Sequence, residues 1–364
     1  MSLRIPGPTP CPENVLQAMS KQMINHRGKE FAGLIREITA RLKEFYKTKA
    51  DIYILTSSGT GSMEAAVVNT LSPGDKVLVL SIGAFGDRFA TIAKTYGADV
   101  TKVDFEWGQC VDIDVATRAL DADAGIKAVL VTHNETSTGV TNDLAAIGKV
   151  VREYDKLLLV DAISSLGCID LQTDAWGCDV VITGSQKGWM VPPGLAFASI
   201  NERGWKAHAE ARMPRFYWDF AKAKDFLSKD QTPFTPAVSL FYALGVSLKM
   251  MDEEGLENIF ARHARHGQRA REGVKSLGLS LFANESCASN VITAVTSPDG
   301  VDANKLREIM RDEYGIVLAG GQAKLAGKIF RIGHLGFVTD DEIDNVITKL
   351  RQVLPKMGFP VPAG

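Results

Sequence analysis

The strongest constraint in this chain is a rhythm. Six apolar runs of strand length, "DIYILT" (51–56), "KVLVLS" (76–81), "KAVLVTH" (127–133), "KLLLVDA" (156–162), "DVVITGS" (179–185) and "GLAFASI" (194–200), alternate with helix-length segments such as "GSMEAAVVNTL" (61–71) and "LAAIGKVVREY" (144–154). Near-continuous Val/Ile/Leu strands joined by helices predict an α/β fold, with a mostly parallel, seven-stranded-type sheet covered by helices on both faces. The connection "QKGWMVPPG" is too short for a parallel crossover, so "GLAFASI" is expected to return antiparallel to "DVVITGS".

The flanks have a different texture. "IPGPTPCPENV" holds four prolines and is barred from helix until Pro12, where "PENVLQAMSKQM" begins one; an amphipathic helix follows over 30–48. Beyond about residue 246, a helical stretch (245–277) precedes "NVITAVTS" (290–297), "VDANKLREIMRDEYG" (301–315), "KIFRIGHLG" (328–336) and "TDDEIDNVITKLRQVL" (339–354), which read as a smaller α+β domain. The expected divisions are an N-terminal arm (1–20), a large domain (21–245) and a small C-terminal domain (246–364), and a chain of 364 residues suits two domains.

A net charge of −2 with scattered Lys and Arg gives no reason to expect nucleic acid or an anionic membrane as partner. Five cysteines without a CxxC suggest neither a disulfide framework nor a zinc site, and no metal is expected. "MSLRIPGPTP" has no signal-peptide core, no apolar run approaches the ~18–20 residues of a membrane span, and "VPAG" is not an SKL-type address. The expectation is a reducing, cytoplasmic compartment.

Ligands of open parallel sheets bind beyond the carboxyl ends of the strands. There this sequence offers Ser57-Ser58-Gly59-Thr60-Gly61, then Gly83-Ala84-Phe85, Asn134-Glu135-Thr136, Asp161, and Gln186-Lys187. The "SSGTG" turn before a helix can cradle a phosphate through backbone N–H groups, although alone it reads equally as a plain strand-to-helix turn. It is not a P-loop, and Glu64 stands where the dinucleotide fingerprint needs its third glycine. Asp161 closes an apolar run, where it serves either as an N-cap or as partner for a cationic ring nitrogen. Lys187 by itself is an ordinary lysine, yet a lysine at a buried strand end becomes a nucleophilic amine. A phosphate cradle, a stacking ring, a carboxylate for a pyridinium nitrogen and a reactive lysine are together what pyridoxal 5'-phosphate requires.

These residues resemble the class V aminotransferases of the fold type I pyridoxal-phosphate enzymes, most nearly the alanine–glyoxylate and serine–glyoxylate (serine–pyruvate) group. The likeness runs almost end to end, through "PGPTP", "HRGKEF", "SSGTGSMEAAVVN", "THNETSTGV", "LLLVDAISSLG", "CDVVITGSQKGWMVPPG", "TPFTPAVSLFYAL" and "IFRIGHLG" in that order. It implies that Ser58, Gly59, Thr60 and Gln186 hold the cofactor phosphate and that Phe85 stacks on the ring. Thr136 lies by the ring hydroxyl, Asp161 pairs with the ring nitrogen, and Lys187 attaches the cofactor and moves the substrate proton. Thr232 and Thr235 match positions that reach a neighbouring subunit's phosphate, which implies a homodimer with composite sites. Arg331 matches the arginine that grips the substrate carboxylate, and Gly7 would close over the substrate. Two departures stand out. Phe85 replaces the Trp of well-known relatives, which keeps stacking and loses an indole N–H, and Thr232 stands where some relatives carry Tyr.

The implied reaction moves the amino group of a small L-amino acid, alanine or serine, to glyoxylate or pyruvate by a ping-pong mechanism. Two rivals were weighed. A class V lyase such as a cysteine desulfurase needs a mobile nucleophilic cysteine, and the late Cys287 reads as a structural thiol. A non-catalytic subunit that keeps the fold is opposed by the intact Lys187/Asp161 pair.

Overall fold

The computed structural model describes residues 1–362; Ala363 and Gly364, at the end of the 246–364 segment, lie outside the described residues. In chain order the strands are β1 (Ser2–Arg4), β2 (Ile52–Ser57), β3 (Lys76–Ser81), β4 (Asp99–Asp104), β5 (Ile126–Thr132), β6 (Asn134–Glu135), β7 (Val140–Thr141), β8 (Leu157–Asp161), β9 (Val180–Gly184), β10 (Gly194–Ile200), β11 (Ile292–Thr296), β12 (Ile316–Gly320) and β13 (Ile329–Gly333).

Seven of them form one sheet in the order β2-β10-β9-β8-β5-β3-β4. Neighbours are parallel except around β10, which runs antiparallel to both β9 and β2 as its short connection requires. Alternate residues of each strand feed two cores. Ile52, Ile54, Leu78 and Leu80 pack on one face, and Tyr53, Leu55, Val77 and Val79 on the other. This is the α/β architecture expected from the apolar runs.

The seventh strand, β4, was not among those runs. Its sequence "DVTKVD" lies at the sheet edge with mostly exposed side chains, so no apolar signal marks it. The helix expected from Pro12 is short, spanning Glu13–Ala18. The continuous helix expected over 245–277 is instead two, Val238–Glu254 and Leu256–Ser276, broken at Gly255, whose φ of 83° is left-handed.

A second sheet has the order β1-β12-β13-β11. Its own core joins Val295, Leu318, Phe330 and Ile332 to Leu306, Met310, Val346 and Leu350 of two helices. β1 comes from the chain's N-terminal end and pairs parallel with β12, which carries residues 5–9 across the edge of the first sheet. No helix among the described residues is long and apolar enough to cross a membrane.

Candidate active site

The carboxyl ends of β2, β3, β5, β8 and β9 share one edge of the large sheet, and the residues expected to carry chemistry gather there. Lys187 follows β9 in a turn fixed from several sides. The Ser185 hydroxyl donates to the Pro192 carbonyl at 2.7 Å, and the Ser247 hydroxyl donates to the Trp189 carbonyl at 2.5 Å. Trp189 is fully buried, edge-on to Phe45 and Phe197. A Cβ at position 188 would come within 2.5 Å of the Cys168 sulfur, so only glycine fits there.

The turn delivers a lysine that is 9% exposed, with Nζ donating to the Pro6 carbonyl at 2.7 Å. Burial lowers its pKa to about 8; Asp161 pulls it back upward, while Arg331 and Arg88 push it further down. Gly7 packs directly on this side chain, because a Cβ there would lie 2.7 Å from Nζ, and its φ of +144° also favours glycine.

Asp161 closes β8 and is 3% exposed. Its Oδ1 accepts the Ile163 N–H at 2.9 Å and its Oδ2 the Thr132 hydroxyl at 3.3 Å. Burial raises its pKa to about 6 against those two hydrogen bonds. A buried carboxylate so sparsely paired is suited to a cationic partner.

Ser58 is the extended N-cap of the helix Gly59–Thr70 and makes no side-chain capping bond. Gln186 lies alongside, its buried Oε1 without a hydrogen-bond partner. A Cβ on Gly184 would sit 2.8 Å from that oxygen and 3.1 Å from the Gly59 nitrogen, so the glycine is what lets them converge. The Arg88 guanidinium reaches the Thr60 hydroxyl at 3.3 Å and lies 4.7 Å from the centre of the Phe85 ring. An uncapped helix N-terminus beside a cation is an anion site in the making.

Phe85 stands in the first turn of the helix Ala84–Thr95. Its N–H and that of Gly86 donate to Glu135 Oε2 at 2.9 and 3.1 Å, while the Ser137 N–H and hydroxyl donate to Oε1 at 3.0 and 2.6 Å. Glu135 is fully buried; burial raises its pKa and these four bonds oppose the rise. Its carboxylate was given no role from the sequence, although it stands beside Thr136 in the strand-end triplet Asn134-Glu135-Thr136.

Arg331 comes from β13 of the second sheet and is 5% exposed. Its Nε donates to the Gly320 carbonyl at 2.8 Å and its Nη1 to the Thr136 carbonyl at 2.7 Å, which leaves Nη2 free. Burial lowers its pKa to about 10. A cavity of about 380 Å³ opens between the two sheets, and Gly7, Phe85, Thr136, Lys187, Arg307 and Arg331 are among the residues that line it.

A buried amine poised near neutrality, a carboxylate suited to a cation and an anion cradle at one sheet edge, faced by a guanidinium from the second sheet, suit amino-group chemistry on a phosphorylated cofactor. A family model for class-V aminotransferases matches residues 2–346. The chain belongs to that family. This aminotransferase is 47% identical to the soluble hydrogenase 42 kDa subunit of Anabaena cylindrica, over 98% of this chain and 94% of that protein. It is 38% identical to the L-aspartate–glyoxylate aminotransferase of Paracoccus denitrificans, over 99% of this chain and 92% of that protein. The crystal structure of an alanine–glyoxylate aminotransferase from Nostoc sp. superposes with a TM-score of 0.94 at 33% identity, covering 97% of this chain and 95% of that one. Membership makes the protein an enzyme that transfers amino groups between amino acids and 2-oxo acids, and it implies pyridoxal phosphate as cofactor.

Not every expected residue reaches the cavity of this aminotransferase. Ser58, Gly59, Thr60, Asp161 and Gln186 stand at the same sheet edge without lining it; Thr232 donates to the Phe234 carbonyl at 2.8 Å, Thr235 is exposed, and neither lines it. Cys287 packs partly buried beside Cys110, away from the cavity wall. Burial and its thiol neighbour push its pKa to about 11, the opposite of what a desulfurase nucleophile needs. His334 is fully buried between the Thr293 hydroxyl at 2.9 Å and the Asn290 carbonyl at 3.1 Å. Among the described residues, no cluster of three or more His, Cys, Asp or Glu is arranged to hold a metal.

Proposed function

We propose that this aminotransferase uses pyridoxal 5'-phosphate to move the amino group of a small L-amino acid, alanine or serine, to glyoxylate or pyruvate in two half-reactions. The single observation that carries the reading is the Lys187 amine, buried with its pKa lowered to about 8, in one cavity with Arg331. The residues present fit the cofactor. The uncapped start of the helix at Gly59, with the Arg88 guanidinium beside Thr60, offers N–H donors and positive charge to a phosphate. When bound, pyridoxal phosphate supplies the electron sink that allows a Cα–H bond of an amino acid to break.

The protein's own residues supply the rest. Lys187 attaches the cofactor and, once released, takes the Cα proton and delivers it again, a general-base role suited to a pKa near working pH. Asp161 keeps a proton on the ring nitrogen, and each unit of pKa bias there is worth ~1.4 kcal/mol. Arg331 offers its free Nη2 to the substrate carboxylate, where a planar guanidinium fixes orientation better than an ammonium. With the cofactor bound, Ser58, Gly59, Thr60 and Gln186 would hold the phosphate, Phe85 would cover one ring face and Thr136 would lie by the ring hydroxyl, while Gly7 leaves room for the Lys187 side chain.

We further read the protein as a homodimer divided near residue 246 into its two domains, with Thr232 and Thr235 serving the partner's phosphate site. Support comes from the aromatic group beside them: Phe234 stacks on Tyr217 and lies tilted against Phe216, while Phe216 is 69% and Tyr217 41% exposed. The donors named for the two transaminase relatives, aspartate and alanine, are both small. The test adds L-alanine and L-serine separately to the purified, cofactor-loaded enzyme. Each true donor bleaches the visible cofactor band, and glyoxylate or pyruvate restores it; a band that no amino acid bleaches defeats the assignment.

A further inference from the structure

Arg307 has no place in the reading above, yet it lines the same cavity as Lys187 and Arg331. It projects from the helix Ala303–Tyr314, and its guanidinium lies across Gly320, where a Cβ would come within 2.6 Å of Nη1. Gly320 is also the residue whose carbonyl receives Arg331 Nε at 2.8 Å. Two guanidinium groups therefore flank one glycine on one cavity wall, close enough for Arg307 to depress the pKa of Arg331.

Arg307 is half-buried and no carboxylate of the protein bonds it; its bonds go to neutral oxygens, the Leu318 carbonyl at 3.0 Å and Asn304 Oδ1 at 3.2 Å. The nearby carboxylates of its own helix are engaged elsewhere, Glu308 with Lys305 at 3.4 Å and Asp312 with Arg311 at 2.6 Å. Nη2 of Arg307 has no partner. The cavity wall thus carries three cations, Lys187, Arg307 and Arg331; the buried carboxylates of Asp161 and Glu135 offset the charge of Lys187, Glu135 also that of Arg331, and neither bonds Arg307. A neutral amino acid brings one carboxylate, which Arg331 satisfies, and Arg307 would then stay unpaired.

We propose that Arg307 is a specificity-determining residue that receives a second carboxylate, so that amino acids with an acid on a short side chain, and the matching 2-oxo diacids, are substrates of this site. The inference rests on the aminotransferase reading and on Arg331 taking the α-carboxylate. Gly320 is part of the device, since any side chain there would lift the guanidinium off the wall.

The experiment compares L-aspartate with L-alanine in single half-reactions, followed by loss of the visible cofactor band, for the wild type, Arg307→Gln and Arg307→Lys. Loss of a charge-assisted hydrogen-bonded pair should lower the aspartate-to-alanine ratio of kcat/KM roughly 10- to 100-fold in R307Q, with partial recovery in R307K. Succinate and propionate, which bind without reacting, give an independent readout: succinate inhibition should weaken in R307Q by far more than propionate inhibition. An unchanged ratio and unchanged succinate affinity overturn the proposal, as does a wild type that turns over alanine but not aspartate. A wild type that responds to neither donor counts instead against the aminotransferase reading itself.

Discussion

At the scale of single residues, the site works by withholding solvent. Lys187 and Asp161 both lie at the sheet edge, and burial moves their pKa values toward each other, to about 8 and about 6. The neutral amine is the form that attacks an aldehyde, and it accumulates above the pKa. The rate at which pyridoxal phosphate attaches to cofactor-free protein should therefore rise with pH through a midpoint of about 8, as read by stopped-flow absorbance. A midpoint near that of ordinary lysine would show that burial does not tune this amine. Lys187→Ala should abolish both attachment and turnover while leaving the far-ultraviolet dichroism intact. Most of these residues were legible as strand-end polar groups. Glu135 was visible at a strand end but nothing gave its carboxylate a role, and Arg307 was not legible at all, because an arginine on a charged helix has no periodicity that separates it from solvated side chains.

At the scale of elements, the decisive piece is the turn between β9 and β10. Trp189, Gly188 and the hydrogen bonds of Ser185 and Ser247 make it a rigid mount for one amine. Trp189→Ala removes a fully buried indole and should cost about 3–5 kcal/mol in urea unfolding. A loss below about 1 kcal/mol would mean that the ring is not what braces the turn. The apolar runs predicted six strands of the large sheet correctly because central strands are buried on both faces. Edge strand β4 escaped, and so did β1 and β12 of the second sheet. β1 is only three residues long and takes its pairing from residues more than three hundred positions away. The break at Gly255 was also missed, although the texture changes there, from an apolar helix with little amphipathic character to a charged, strongly amphipathic one.

At the scale of the whole molecule, the exposed Phe216 and Tyr217 predict a second copy. Phe216→Asp should shift sedimentation from dimer to monomer and weaken cofactor retention together, because Thr232 and Thr235 adjoin that patch. A monomeric variant with undiminished cofactor affinity would separate the two and remove the composite-site reading. The sequence by itself determined six strands of the large sheet and its one antiparallel return, and it placed a lysine, an aspartate and a Ser/Gly/Thr turn at strand ends. Periodicity and connection length are local properties, readable one segment at a time. Tertiary structure alone decided that β13 and the helix Ala303–Tyr314 bring Arg331 and Arg307 to the same cavity as Lys187, and that Pro6 and Gly7 lie against its amine. Those meetings depend on how the second sheet docks on the first, and no local pattern encodes the distance between residues 7, 187 and 331.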